Sequence, residues 1–168
     1  MEDIKLKTYL KKYINSKKTI LGVGPMSLNC INASNNISFK YKVPIFLICS
    51  RRQIDSEFHG GGYVNNWTTE KLNNYLKKKR NKYLILSRDH GGPWQNNLEI
   101  KKNYNIKDAM KSAKKSFEAD ISNDFKVIHI DPSLNIDNKN NLKRVTENIF
   151  ELYEYCYEFA NKRKKKII

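Results

Sequence analysis

Three ionisable side chains stand in a row at Arg88-Asp89-His90, separated only by Ser87 from the apolar run Leu84-Ile85-Leu86 and followed by the turn Gly91-Gly92-Pro93. Adjacent charges beside such a run are costly to desolvate unless they are paired or put to use. A carboxylate next to an imidazole suits general acid–base work near neutral pH. It equally suits a divalent metal held by the imidazole, with the carboxylate moving protons beside it. His129-x-Asp131, ahead of Pro132, repeats the same two residue types. The polar stretch from 51 to 67 carries Arg51, Arg52, Gln53, Asp55, His59 and Gly60-Gly61-Gly62. Backbone N–H groups of the glycines could wrap a phosphate that the two arginines neutralise.

Each candidate also has a plainer reading. His129, inside a strand, reads first as a hydrogen-bonded core histidine. His59 reads as a solvent-exposed loop residue, and Asp131 as a turn cap. For the glycine triplet, a phosphate cradle and a mobile hinge are equally open. Asp89-His90 is the patch for which function is the better reading, because charged groups at strand ends are where such folds place their sites.

The elements that must position these groups follow from periodicity. Amphipathic helices are expected over 3–15 and, more weakly, 26–40. Thr68 with Glu70 marks the start of a helix through about Arg80. A helix over 106–121 places Ile106, Ala109, Met110, Ala113, Phe117 and Ile121 on one face. The last, over 139–162, places Leu142, Val145, Ile149, Leu152, Cys156 and Phe159 in steps of three and four. Between them lie four short apolar strands, at 19–25, 43–50, 83–89 and 126–131. Continuously apolar strands alternating with helices mean a parallel sheet covered on both faces. The expectation is an α/β fold: four βα units after an N-terminal helix, half of a (β/α)8 TIM barrel. A flavodoxin-like open sheet is the alternative at this length. Alternation along the strands places Asp89, His129 and Asp131 inward with His90 at the turn, and Ser50 and Arg51 ending the second strand.

The 168 residues suit a single domain over 1–168, with a solvated basic tail over 162–168. No run reaches the ~20 apolar residues of a membrane span. The first residues lack an apolar signal core, so the expected compartment is the cytoplasm. Gly22-x-Gly24 is not a dinucleotide fingerprint, because Ser27 stands where the third glycine belongs. Cys30, Cys49 and Cys156 are far apart and odd in number, which excludes a disulfide framework and a thiolate zinc site. The net charge of +15 fits a polyanion as partner. However, the lysines are scattered along the sequence and arginine is scarce, which weighs against nucleic acid.

With these patches in this order, the sequence resembles the tagatose-bisphosphate aldolase family, specifically its large, "non-catalytic" subunit. The resemblance spans roughly residues 20–135. It rests on Gln53-Ile54-Asp55 with Gly61-Gly62-Tyr63, on Thr68-Thr69-Glu70, on Leu84–Gln95 with its Asp-His-x-Gly-Pro turn, and on Ala109–Leu134 with its His-x-Asp strand. Arg88 departs from the pattern, which has glycine before the aspartate. The resemblance implies the N-terminal half of a TIM barrel related to class II ketose-bisphosphate aldolases. It implies Asp89 as the proton-transfer group and His90 as a zinc ligand. Zinc would then act as the Lewis acid on the ketone of a sugar phosphate. Arg51, Gln53, Gly61, Gly62, Arg88 and Asp131 are the expected substrate contacts.

The expected function is therefore aldol C–C cleavage of a phosphorylated ketose, or support of a catalytic aldolase subunit. A half barrel exposes strand edges and part of its interior, so the expected partners are a second copy or that catalytic subunit. The alternative function is a basic, non-enzymatic module for nucleic acid or another polyanion.

Overall fold

The computed structural model describes residues 6–134 and 142–168. Four strands, β1 (Leu21–Val23), β2 (Ile45–Ser50), β3 (Leu84–Gly91) and β4 (Val127–Ile130), form one sheet in the order β1-β2-β3-β4, every pair parallel. A flavodoxin-like sheet moves its second strand outside the first, so the sequential order removes that alternative. What remains is the α/β half barrel: each strand is followed by helix and lies beside the next strand in sequence.

The helices are α1 (Leu6–Asn15), α2 (Leu28–Tyr41), α3 (Thr69–Lys79), α4 (Asn97–Lys101), α5 (Ile106–Ser122) and α6 (Leu142–Lys162). Thr68 caps α3 as its residue type suggests, its side chain accepting from the Lys71 N–H at 3.2 Å. The short α4 was hidden in the sequence within the turn after β3; five residues are too few to show a periodicity. Residues 3–5 and 139–141, assigned to helices from the sequence, lie outside the described residues.

Strand register sorts the side chains onto two faces. Ile45, Leu47 and Cys49 align with Leu84, Leu86 and Arg88. Leu47, Cys49 and Leu86 pack under α2 and α3 with Ile31, Ile54, Val64, Leu72 and Phe125, and this layer is the main core. A second core joins α5 to α6 through Met110, Phe117, Ile121, Leu152 and Cys156. The opposite set, Phe46, Ile48 and Ser50 with Ile85, Ser87 and Asp89, lines the concave face that a whole barrel would enclose.

Lys162, Arg163, Lys164 and Lys166 of the C-terminal tail are exposed, as expected for a basic end, while the last residue also pairs with the sheet. Ile168 donates to Lys126 O at 2.8 Å and accepts from the Ile128 N–H at 2.9 Å, the parallel pairing pattern along β4. Ile167 packs against the second core, and Lys165 reaches Asp124 at 2.6 Å.

Candidate active site

Consecutive residues of a regular strand point to opposite faces, so Asp89 and His90 would ordinarily be separated by the sheet. They are not, because β3 carries a bulge at this point. Arg88 aligns with Ile128 and Gly91 with Ile130, leaving one extra residue on β3. His90 absorbs it in a left-handed conformation, φ +47°, uncommon for a residue other than glycine. The bulge brings both side chains to the concave rim. His90 Nδ1 then lies 2.7 Å from Asp131 Oδ2, and His129 Nδ1 lies 3.0 Å from Asp89 Oδ1. Two imidazole–carboxylate pairs thus cross between β3 and the end of β4. The second nitrogen of His90, Nε2, is 3.5 Å from Asp89 Oδ2 and links them.

Both imidazoles are open to solvent, 55% for His90 and 56% for His129, whereas Asp131 is only 12% exposed. Burial pushes the Asp131 carboxyl up. The hydrogen bonds from Ser133 and His90 outweigh it and hold the group below the ordinary carboxylate range. Gln95 Nε2 adds a third donor to Asp131, at 3.0 Å. In the turn after β2, the Gln53 side-chain carbonyl accepts from the Ser50 N–H at 2.9 Å, and its amide donates toward Met26 Sδ at 3.3 Å. Gln53 therefore closes the rim beside β1.

The structure corrects several assignments read from the sequence. His129 is no core histidine, since the fourth strand ends near the rim and its concave side is open. Arg51 and Arg88, expected as substrate contacts, are wholly buried, with their guanidinium groups turned to the protein's own carboxylates and carbonyls. Arg51 Nε meets Asp55 at 3.1 Å, Nη2 meets Glu99 at 2.6 Å, and Nη1 donates to Gly92 O at 2.7 Å. Arg88, on the helix side of β3, forks onto Asp120 at 2.7 and 2.6 Å and donates to Cys49 O and Ile54 O. A guanidinium fully used in this way is structural, and removing its partners would strand a buried charge.

The glycine triplet is no phosphate cradle either. The N–H groups of Gly60, Gly61 and Gly62 donate to Glu57 O, Ser56 O and Trp67 O, so none points outward. Gly61 and Gly62 shape the loop: φ is +81° at Gly61, and a Cβ on Gly62 would stand 2.2 Å from Gln53 O. His59, expected in solvent, is buried between Ser56 Oγ (2.6 Å) and Ser112 Oγ (2.7 Å). Sequence reasoning missed Gln95 as a site residue, and nothing but its place in the Leu84–Gln95 stretch marks it.

Zinc was expected at His90. The ring nitrogens and carboxylates face one another in pairs instead of sharing a centre. Among the described residues no three His, Cys, Asp or Glu are grouped to hold a metal ion. The donors present do not fit a three-ligand zinc site by themselves. Among the described residues, no helix is long and apolar enough to cross a membrane.

The fold and site define a parallel βα half barrel carrying its ionisable groups at the carboxyl ends of its strands. No protein-family model matches the sequence, and no curated protein does. Among solved structures, the chain is similar to that of a probable tagatose 6 phosphate kinase from Sinorhizobium meliloti 1021, with a TM-score of 0.70 at 16% identity. The match covers 85% of this chain and 37% of that one, so this chain spans little more than a third of its neighbour's length. At that identity the likeness concerns the fold.

Proposed function

We propose that the concave rim binds a phosphorylated ketose and transfers protons at the carbon beside its carbonyl, as an aldolase-type protein of carbohydrate metabolism. The observation that carries this reading is the bulge that presents Asp89 and His90 together, crossed with His129 and Asp131. Proton transfer next to a carbonyl needs a carboxylate within hydrogen-bond reach of the carbon acid, and an acid to hold the developing oxyanion. Asp89 takes the first role. His129, bonded to it, orients the carboxylate. His90, held in one ring orientation by Asp131, faces the oxyanion. Gln53 and Gln95 supply hydroxyl contacts. The structural neighbour, a probable tagatose 6 phosphate kinase, and the resemblance of the Asp-His-x-Gly-Pro patch both support a sugar phosphate as ligand.

A zinc ion at His90 would require further ligands from outside the described residues, such as a second copy or a catalytic partner subunit. That requirement favours the supporting-subunit form of the reading over independent catalysis.

The test is calorimetric titration with tagatose 1,6-bisphosphate and with dihydroxyacetone phosphate, followed by NMR of hydrogen exchange at the ligand's α-carbon in D2O. Saturable binding, with exchange lost in Asp89→Asn and retained binding, is the expected result. Absence of binding to either ligand by the chain, alone and with zinc added, would overturn the reading.

A further inference from the structure

Six of the lysines scattered along the sequence meet in space with Arg80. Opposite the concave rim's active end, where the strands begin, lies a cavity of about 510 Å³ between α3, the start of β3 and the C-terminal tail. Seven basic side chains line it against one carboxylate, Asp124. Asp124 is already shared by Lys77 at 3.2 Å and Lys165 at 2.6 Å, which leaves the cleft strongly positive. We propose that this cleft is a second binding site, for single-stranded nucleic acid.

Backbone geometry accounts for two of these cations. Helices α3 and α6 are followed by Arg80 and Lys164, both left-handed, with φ of +52° and +54°. Glycine occupies that position without strain, and any other residue costs about 1 kcal/mol there. A cation after a helix recovers part of this by facing the carbonyl end of the helix dipole. That attraction explains single cations; it does not explain seven around one cavity.

Three features select the ligand. A concave cleft accepts a strand of phosphates rather than a flat lipid surface. Its size suits one or two nucleotides and not the width of a duplex. Finally, α2, whose Asn35 lines the cleft and with Ser38 holds Asn81, ends in Phe39 and Tyr41, which lie outside the cleft lining and are exposed by 58% and 62%. Exposed rings on a helix that borders a basic groove are where single-strand binders stack further bases.

The test is fluorescence anisotropy with a labelled oligothymidylate of about twelve residues, over a range of salt. Binding should weaken with salt at a slope of about −0.7 per phosphate engaged. The fourfold variant Arg80→Gln, Lys82→Gln, Lys164→Gln, Lys166→Gln should lose roughly tenfold in affinity and flatten that slope. A control of equal charge loss, Lys101→Gln, Lys102→Gln, Lys107→Gln, Lys111→Gln, should stay within about twofold. Equal weakening by both variants would overturn the site in favour of overall charge. Tighter binding of the matched duplex, or of phosphatidylserine vesicles, would overturn the ligand. If the cleft variant fails to fold by circular dichroism, Lys82→Glu and Lys164→Glu singly carry the same comparison. Asp89→Asn should leave this binding unchanged, which separates it from the sugar-phosphate reading.

Discussion

Arg51 donates to Gly92 O at 2.7 Å from a position with no exposure to solvent, and so ties the buried ionic network to the turn that follows His90. The same guanidinium meets Asp55 and Glu99, and Asp55 also accepts from Asn96 at 2.8 Å and Ser116 at 2.6 Å. Replacing Arg51 by Met would leave two buried carboxylates without their cation. The expected loss is about 3–5 kcal/mol of stability, read from urea unfolding at neutral pH. A loss below about 1 kcal/mol would show that the network is not stabilised by this cation.

Acid should weaken the same network. Burial pushes the Asp55 carboxyl up, and Arg51, then His59, more than reverse this and hold it far below the usual carboxylate range. A depressed native value means the unfolded chain binds more protons. The stability Asp55 contributes is then complete above the unfolded value of about 3.9 and is lost progressively as the pH falls below it. Unfolding curves from neutral pH to pH of about 2 should show a steep acid limb in the parent protein. The limb should be shallower in Asp55→Asn, which starts from lower stability.

His90 is one of the groups that hold Asp131 low. In His90→Ala the Asp131 carboxyl should titrate closer to the ordinary carboxylate value, since Ser133 and Gln95 remain as neutral donors. Carboxyl-carbon NMR against pH reads this directly. An unchanged titration would mean that the 2.7 Å contact carries no charge interaction.

Backbone packing around the site should tolerate nothing larger than glycine at position 92. A Cβ there would stand 2.0 Å from Asp131 O, a backbone atom that cannot swing aside. Gly92→Ala should cost roughly 2–3 kcal/mol and separate His90 from Asp131. Gly60 is the contrast: φ is +78°, yet nothing lies within 4 Å of its Cβ position, so Gly60→Ala should cost only about 1 kcal/mol. Thermal unfolding of the two variants ranks them.

Thiol chemistry should single out one cysteine. Burial pushes the Cys49 and Cys156 thiols up to about 12, whereas Cys30 is partly exposed on α2. Iodoacetamide at mildly alkaline pH should add one label to the folded protein and three in urea. A second label on the folded chain would show that α6 or the main core opens readily.

The strands and long helices were legible in the sequence because burial on two faces leaves unbroken apolar runs and three-four spacing. Asp89, His90 and Asp131 were legible as a group because they follow such runs. The crossing of the pairs was not, since it depends on one extra residue in β3 that shifts no residue type. Arg51, Arg88, His59 and the glycine triplet show the general limit. A charged or glycine-rich segment reads the same whether its groups face a ligand or one another, and only their partners in space distinguish the two. The basic cleft was missed for a related reason, since residues near positions 80, 126 and 165 meet only after the chain has folded.

The crossed pairs also act as a mechanical lock on strand alignment. Each strand end lends its acid to the other's base: β3 gives Asp89 to His129, and the end of β4 gives Asp131 to His90. Sliding one strand past the other by a single residue would break both contacts at once and turn every concave side chain to the opposite face. The proposed chemistry at the rim and correct threading of the sheet therefore depend on the same two contacts, so a misaligned molecule would also lack the arrangement on which that proposal rests.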